Sequence, residues 1–206
     1  MENRLAKIIS VVFNPLLIPT FGILLLFNMD TFITYVLPAR AKTLVTLIVL
    51  INTAIAPLLA VIFMKRVGFI NDLLLDKRNE RLLPMIIGVL LYFFTYYVLR
   101  QSSLPSLVHF YFLGATLLVI ISLFITLKWK ISLHMVSMGG LTGLLLVTTF
   151  LLKTDIVYLI AAAILISGMV GTSRLILKLH TPGQVFAGYI MGVSVMLLLY
   201  FIFRVY

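Results

Sequence analysis

The 206-residue chain has no cysteine, which excludes disulfides, thiolate metal sites and thiol nucleophiles. Charge is scarce: Asp, Glu, Lys and Arg together make up 11% of the residues, against about 25% in a soluble domain. Acidic residues are the scarcest, 6 against 16 Lys and Arg, and no acidic pair follows Glu80. No small-x-small cleavage site follows the apolar run behind Arg4 and Lys7, so the N-terminus reads as a retained first span. No internal repeat, low-complexity tract or linker divides the chain, so residues 1–206 are expected to form a single domain. What is abundant is apolar: hydrophobic residues are 63% and mean hydropathy is +1.21. A soluble fold has nowhere to put that surplus, so a soluble enzyme, a disordered chain and a nucleic-acid module are excluded.

A helix needs about 20 apolar residues to cross the hydrocarbon core. Long runs without period-two alternation favour helices over a barrel. Seven runs qualify: Ile8 to Phe27, Leu44 to Met64, Leu82 to Leu99, Leu107 to Leu127, Ile131 to Leu152, Ile156 to Val170, and Val185 to Val205. The first contains Asn14-Pro15 and Pro19 and is open to a kinked, re-entrant or interfacial reading. The expected fold is an all-α membrane bundle of six or seven transmembrane helices. The expected location is that of a multi-pass integral protein of the bacterial inner membrane, among membrane lipids, with nucleic acid excluded as a partner.

Three polar clusters punctuate the runs. Asp76-Lys77-Arg78-Asn79-Glu80-Arg81 precedes the third, Ser132-Leu133-His134 opens the fifth, and Ser173-Arg174 with His180 and Gln184 precedes the last. Two spans separate each cluster from the next, so all three emerge on one membrane face. Titratable groups at that depth are costly and tend to mark function. Arg and Lys grip phosphoryl oxygens, a helix start at Ser132 adds backbone donors, and two histidines can divide nucleophile and acid roles. The set reads as phosphoryl transfer without a metal or other cofactor, the cationic side chains supplying the charge.

Ser173-Arg174-x5-His180-x3-Gln184-Val185-x2-Gly188 resembles the third signature of the type 2 phosphatidic acid phosphatase (PAP2) superfamily, with Gln where the family has Asp. Ser132-Leu133-His134 is similar to the second signature, and Lys77, Arg78, Arg81 and Pro84 match the chemistry of the first at altered spacing. The resemblance implies that His180 attacks phosphorus to form a phosphohistidine and that His134 protonates the leaving alkoxide. It implies that Lys77, Arg81 and Arg174 hold the phosphoryl oxygens, with Arg78, Ser132 and Ser173 alongside. Gln184 takes the place of the residue that orients the nucleophilic imidazole. The substrate would be a lipid phosphate or diphosphate. Family analogy puts the active face outside the cytoplasm. Eleven basic residues on that side against five on the other favour the reverse, although the margin falls to seven against five without Lys77, Arg78, Arg81 and Arg174.

Plainer readings stand beside these. Lys65, Arg66, Lys128 and Lys130 suit topology signals or snorkelling cations. His109 fits an interface, and Gly139, Gly140 and Gly143 fit close helix packing. A degenerate relative that binds or moves a lipid phosphate without hydrolysing it is one rival. A UbiA-like prenyltransferase using Asp72 and Asp76 on a Mg²⁺-diphosphate is a remote one, because a second Asp cluster is missing.

Overall fold

The computed structural model describes residues 2–71 and 78–203, with only the backbone of Arg78 and Asn79; Asp72, Asp76 and Lys77 lie outside the described residues. Within them the chain is helical and has no strand. The helices are α1 (Glu2–Val12), α2 (Ile18–Asn28), α3 (Phe32–Val36), α4 (Ala39–Leu50), α5 (Ala56–Arg66), α6 (Arg78–Arg100), α7 (Ser106–Thr126), α8 (Leu133–Leu152), α9 (Val157–Ile176) and α10 (Pro182–Phe203). A π-helical turn at Ile51–Ile55 joins α4 to α5 into one 28-residue helix and admits Pro57 into its path. With α6 to α10 this makes six helices long and apolar enough to cross a membrane. The protein is a multi-pass, all-α membrane bundle.

The first run, Ile8 to Phe27, is not a continuous span. Pro15 drives Asn14 out of helical geometry, and Asn14 Oδ1 accepts the Leu16 N–H at 3.0 Å in a side-chain-closed turn. The chain restarts as α2, with Pro19 in its first turn. Eleven residues of helix reach only about 16 Å, half of the hydrocarbon core. α2 survives at that length because it is buried, packing Ile18, Ile23, Leu26 and Phe27 among α4 and α8. On the face away from the polar clusters, His109 donates from Nε2 to the Leu99 carbonyl at 2.9 Å and ties the start of α7 to the end of α6.

α8 is the most enclosed of the six spans, and α10 lies directly on it. Glycine permits the approach. A Cβ at Gly192 would stand 2.4 Å from the Val136 carbonyl oxygen, and one at Gly139 would stand 2.2 Å from that of Tyr189. Close backbones of this kind stabilise helix pairs in lipid, where apolar burial does not discriminate helix from solvent. Gly192→Ala must therefore push α10 off α8, at a cost of about 1–3 kcal/mol. A methyl at Gly168 of α9 meets nothing within 4 Å. In detergent, Gly192→Ala is expected to melt several degrees lower and Gly168→Ala no lower than the parent; equal melting of all three would refute the packing account.

Candidate functional site

The α9–α10 turn sets the site. α9 ends in a Schellman closure: Leu179 N–H bonds the Arg174 carbonyl at 3.2 Å and Lys178 N–H that of Leu175 at 2.9 Å, with Lys178 at φ 53°. The left-handed residue folds the chain back, so His180 returns beside Arg174 instead of leaving the membrane face. α10 then begins with Thr181-Pro182-Gly183-Gln184, a capping box with proline at its first helical position. Gln184 Oε1 accepts the Thr181 N–H at 3.1 Å, and Gln184 N–H faces Thr181 Oγ1 at 3.5 Å.

The same Oε1 accepts from His180 Nδ1, also at 3.1 Å. Because a backbone N–H can only donate, the Thr181 contact requires oxygen, not the amide nitrogen, to face the ring. His180 thus carries its proton on Nδ1 and keeps the Nε2 lone pair free. The imidazole is buried, with Arg81, Arg174 and Lys130 near it. Burial chiefly, and then those cations, push its pKa down from the usual 6.5 to about 4, against the opposing bond from Gln184.

His134, in the first turn of α8, donates from Nε2 to the Ser10 carbonyl at 3.0 Å. Nδ1 is left as its proton-transfer atom. Ser10 also donates through Oγ to Ser173 Oγ at 3.0 Å, while Ser173 returns its own proton to the Val170 carbonyl at 2.7 Å. Ser10 thus hydrogen-bonds α1 to both α9 and α8.

Arg81, His134, Arg174 and His180, from α6, α8, α9 and the α9–α10 turn, border one cavity of about 300 Å³. Both arginines are buried. The cavity continues into the bundle between apolar side chains of α7, α8 and α10 and reaches Tyr92 and Tyr111. From Arg81 to Tyr92 along α6 is about 16 Å of helix. Tyr111 is held at that depth by its hydroxyl, which donates to the Ile18 and Pro19 carbonyls at 3.3 and 3.4 Å, against Gly22 of α2. Leu58 of α5, itself half exposed, lines the cavity wall. A polar end with imidazoles and guanidinium groups, above an apolar tunnel, suits an amphiphile with an anionic head.

Four sequence-predicted site residues therefore meet at the cavity, and Gln184 holds one of them from behind. Ser173 and Arg174 sit in the last turn of α9, not in the following loop. Ser173 bonds Ser10 and Val170 and is not among the residues that line the cavity. Ser132 is fully buried and does not line the cavity. Lys77 and the Arg78 side chain lie outside the described residues. Glu80 of the first cluster binds Asn71 with both carboxylate oxygens, at 2.6 and 3.2 Å, and Gln184 occupies His180 Nδ1. Sequence reasoning missed Ser10, whose only signal is the small pair Ala6 and Ser10 one turn apart. It also missed the capping box, which is legible as Thr181-x-x-Gln184.

Among the described residues no group of three or more His, Cys, Asp or Glu gathers to hold a metal ion. No family model, curated protein or solved structure matches the chain.

Proposed function

We propose that this protein is a membrane-embedded phosphatase that removes phosphate from a lipid phosphate or diphosphate through a phosphohistidine, without a metal, and that it is a divergent member of the PAP2 superfamily. The observation that carries the reading is the convergence of Arg81, His134, Arg174 and His180 on one cavity whose far end is apolar. His180 Nε2 attacks the terminal phosphorus, and its bond to the leaving oxygen breaks: the lipid alkoxide oxygen in a monophosphate, the bridging oxygen of the departing lipid monophosphate in a diphosphate. His134 Nδ1–H protonates the departing oxygen; the neutral ring then takes a proton from the water that hydrolyses phosphohistidine, releasing inorganic phosphate. Arg81 and Arg174 neutralise the phosphoryl oxygens, doing electrostatically what Mg²⁺ does elsewhere. Gln184 fixes the His180 tautomer that makes the attack possible.

The test is phosphate release from a panel of lipid phosphates by the purified protein, with and without EDTA. Release that survives chelation is expected. Release that stops in EDTA and returns with Mg²⁺ would favour a prenyltransferase-like metal site, and binding without release would favour a lipid-phosphate carrier.

The lowered His180 pKa makes a second expectation. Only the neutral ring is nucleophilic, so kcat/KM loses activity when His180 is protonated. The acid limb should therefore lie near pH 4, where an ordinary imidazole would already fail near 6.5. Stability moves the same way: between those values the unfolded chain binds a proton that folded His180 refuses, so stability falls as pH drops. A pH–rate profile whose acid limb sits at 6 or above would contradict the assignment of His180 as nucleophile.

A further inference from the structure

Several buried helical hydroxyls in this bundle turn back onto the carbonyl four residues earlier. Thr116, Thr142, Thr148 and Ser167 do so at 2.7, 3.0, 2.8 and 2.6 Å. Ser122 of α7 does not. Its side chain is fully buried, its Oγ has no hydrogen-bond partner, and it lines the cavity. Of the four buried hydroxyls in that condition among the described residues (Thr20, Thr31, Ser122 and Ser132), it is the one on the cavity wall. A hydroxyl without a partner in an apolar wall costs about 1–3 kcal/mol, and a ligand atom that accepts its proton recovers that loss.

We infer that Ser122 is a ligand-binding residue that donates a hydrogen bond to the ester carbonyl of a single acyl chain occupying the tunnel. The inference rests on the reading of the cationic end as a phosphoryl site. Depth argues for an ester. α7 and α8 are consecutive spans that pack together, so they run antiparallel, and Ser122 lies four residues before the end of α7 while His134 opens α8. Ser122 thus sits about 6 Å, roughly one helical turn, below the imidazoles. With phosphorus at the imidazoles, a glycerol spacer brings an acyl carbonyl to that level. A prenyl chain has no acceptor there and would leave Ser122 unsatisfied. Below Ser122, Ala115, Leu118 and Leu141 offer only apolar contact until Tyr92 and Tyr111. A volume of about 300 Å³ is at the small end of ligand sites and suits one chain better than two.

The test compares 1-palmitoyl lysophosphatidate with its 1-O-hexadecyl ether, which lacks the carbonyl. Both affinity, by equilibrium titration in detergent, and phosphate release are measured for the parent, Ser122→Ala and Ser122→Thr. The parent is expected to bind the ester about tenfold more tightly than the ether. Ser122→Ala should bring the ester down to the ether's level and leave the ether unchanged, and Ser122→Thr should retain the preference. A parent that binds neither lipid, or both equally, overturns the inference, as does an ester preference that survives Ser122→Ala. A parent that prefers the ester yet releases no phosphate upholds the inference and overturns the hydrolase reading alone.

Discussion

Replacing His180 by alanine is expected to lower phosphate release by about 10⁴-fold or more, to the level of the background reaction. Removing a nucleophile removes the covalent route entirely, and what remains is the electrostatic contribution of the surrounding donors. Here those donors are Arg81 and Arg174, which stay in place, so lipid-phosphate affinity should change little while kcat collapses. That division between kcat and binding separates loss of a nucleophile from loss of fold, and a melting curve close to the parent's completes the control. A ³²P-labelled lipid phosphate, acid-quenched, should leave label on the parent chain as an acid-labile, base-stable adduct and none on His180→Ala. An active His180→Ala protein would require another nucleophile and end the phosphohistidine mechanism.

Substitutions at Gln184 should move turnover in both directions. Gln184→Leu removes the acceptor of the His180 Nδ1 proton and frees the ring to change tautomer and rotamer; a fall of about 100-fold in kcat is expected, smaller than the ~10⁴ seen when a buried orienting carboxylate is lost from a triad. Gln184→Glu keeps the length of the side chain and the capping box, in which Glu and Gln serve alike. It adds the negative charge that Gln lacks, beside a ring that becomes positive on phosphorylation. It should raise kcat about tenfold or more, about 1.4 kcal/mol of barrier. Asp also supplies the charge, but it is one methylene shorter than the side chain that now spans 3.1 Å to both partners, so Gln184→Asp should gain less than Glu unless α10 shifts. A carboxylate also favours the protonated imidazole, so the acid limb should move upward in Gln184→Glu. Both gains should vanish in a His180→Ala background, because the two residues act as a unit. A faster enzyme whose pH profile is unmoved would place the effect elsewhere than at His180.

The class of the protein and the broad plan of its site were legible in the residues. Unbroken apolar runs demand membrane-spanning helices, and an even number of spans between polar clusters puts them on one face whatever the helices' mutual packing. The Asn14-Pro15 break and the Thr181-x-x-Gln184 capping box are equally local, since each depends on torsions and hydrogen bonds within a few residues. The four-residue step from His180 to Gln184 is one turn of chain, so their contact follows from position alone.

Tertiary structure alone decided the rest. Ser10 reaches His134 across 124 residues of sequence and Ser173 across 163. Ser173 is not among the residues that line the cavity, whereas Arg174 beside it lines the wall. Ser122 lines the tunnel while Thr116, Thr142, Thr148 and Ser167 close onto their own helices. Each of these outcomes depends on how a helix is rotated about its axis. In a soluble protein, alternation of apolar and polar residues reveals that rotation, because water and core select opposite side chains. In a bilayer both the lipid and the core are apolar, so the pattern is nearly uniform around each span. The rotation is set instead by close packing, such as Gly139 and Gly192 against the facing backbones.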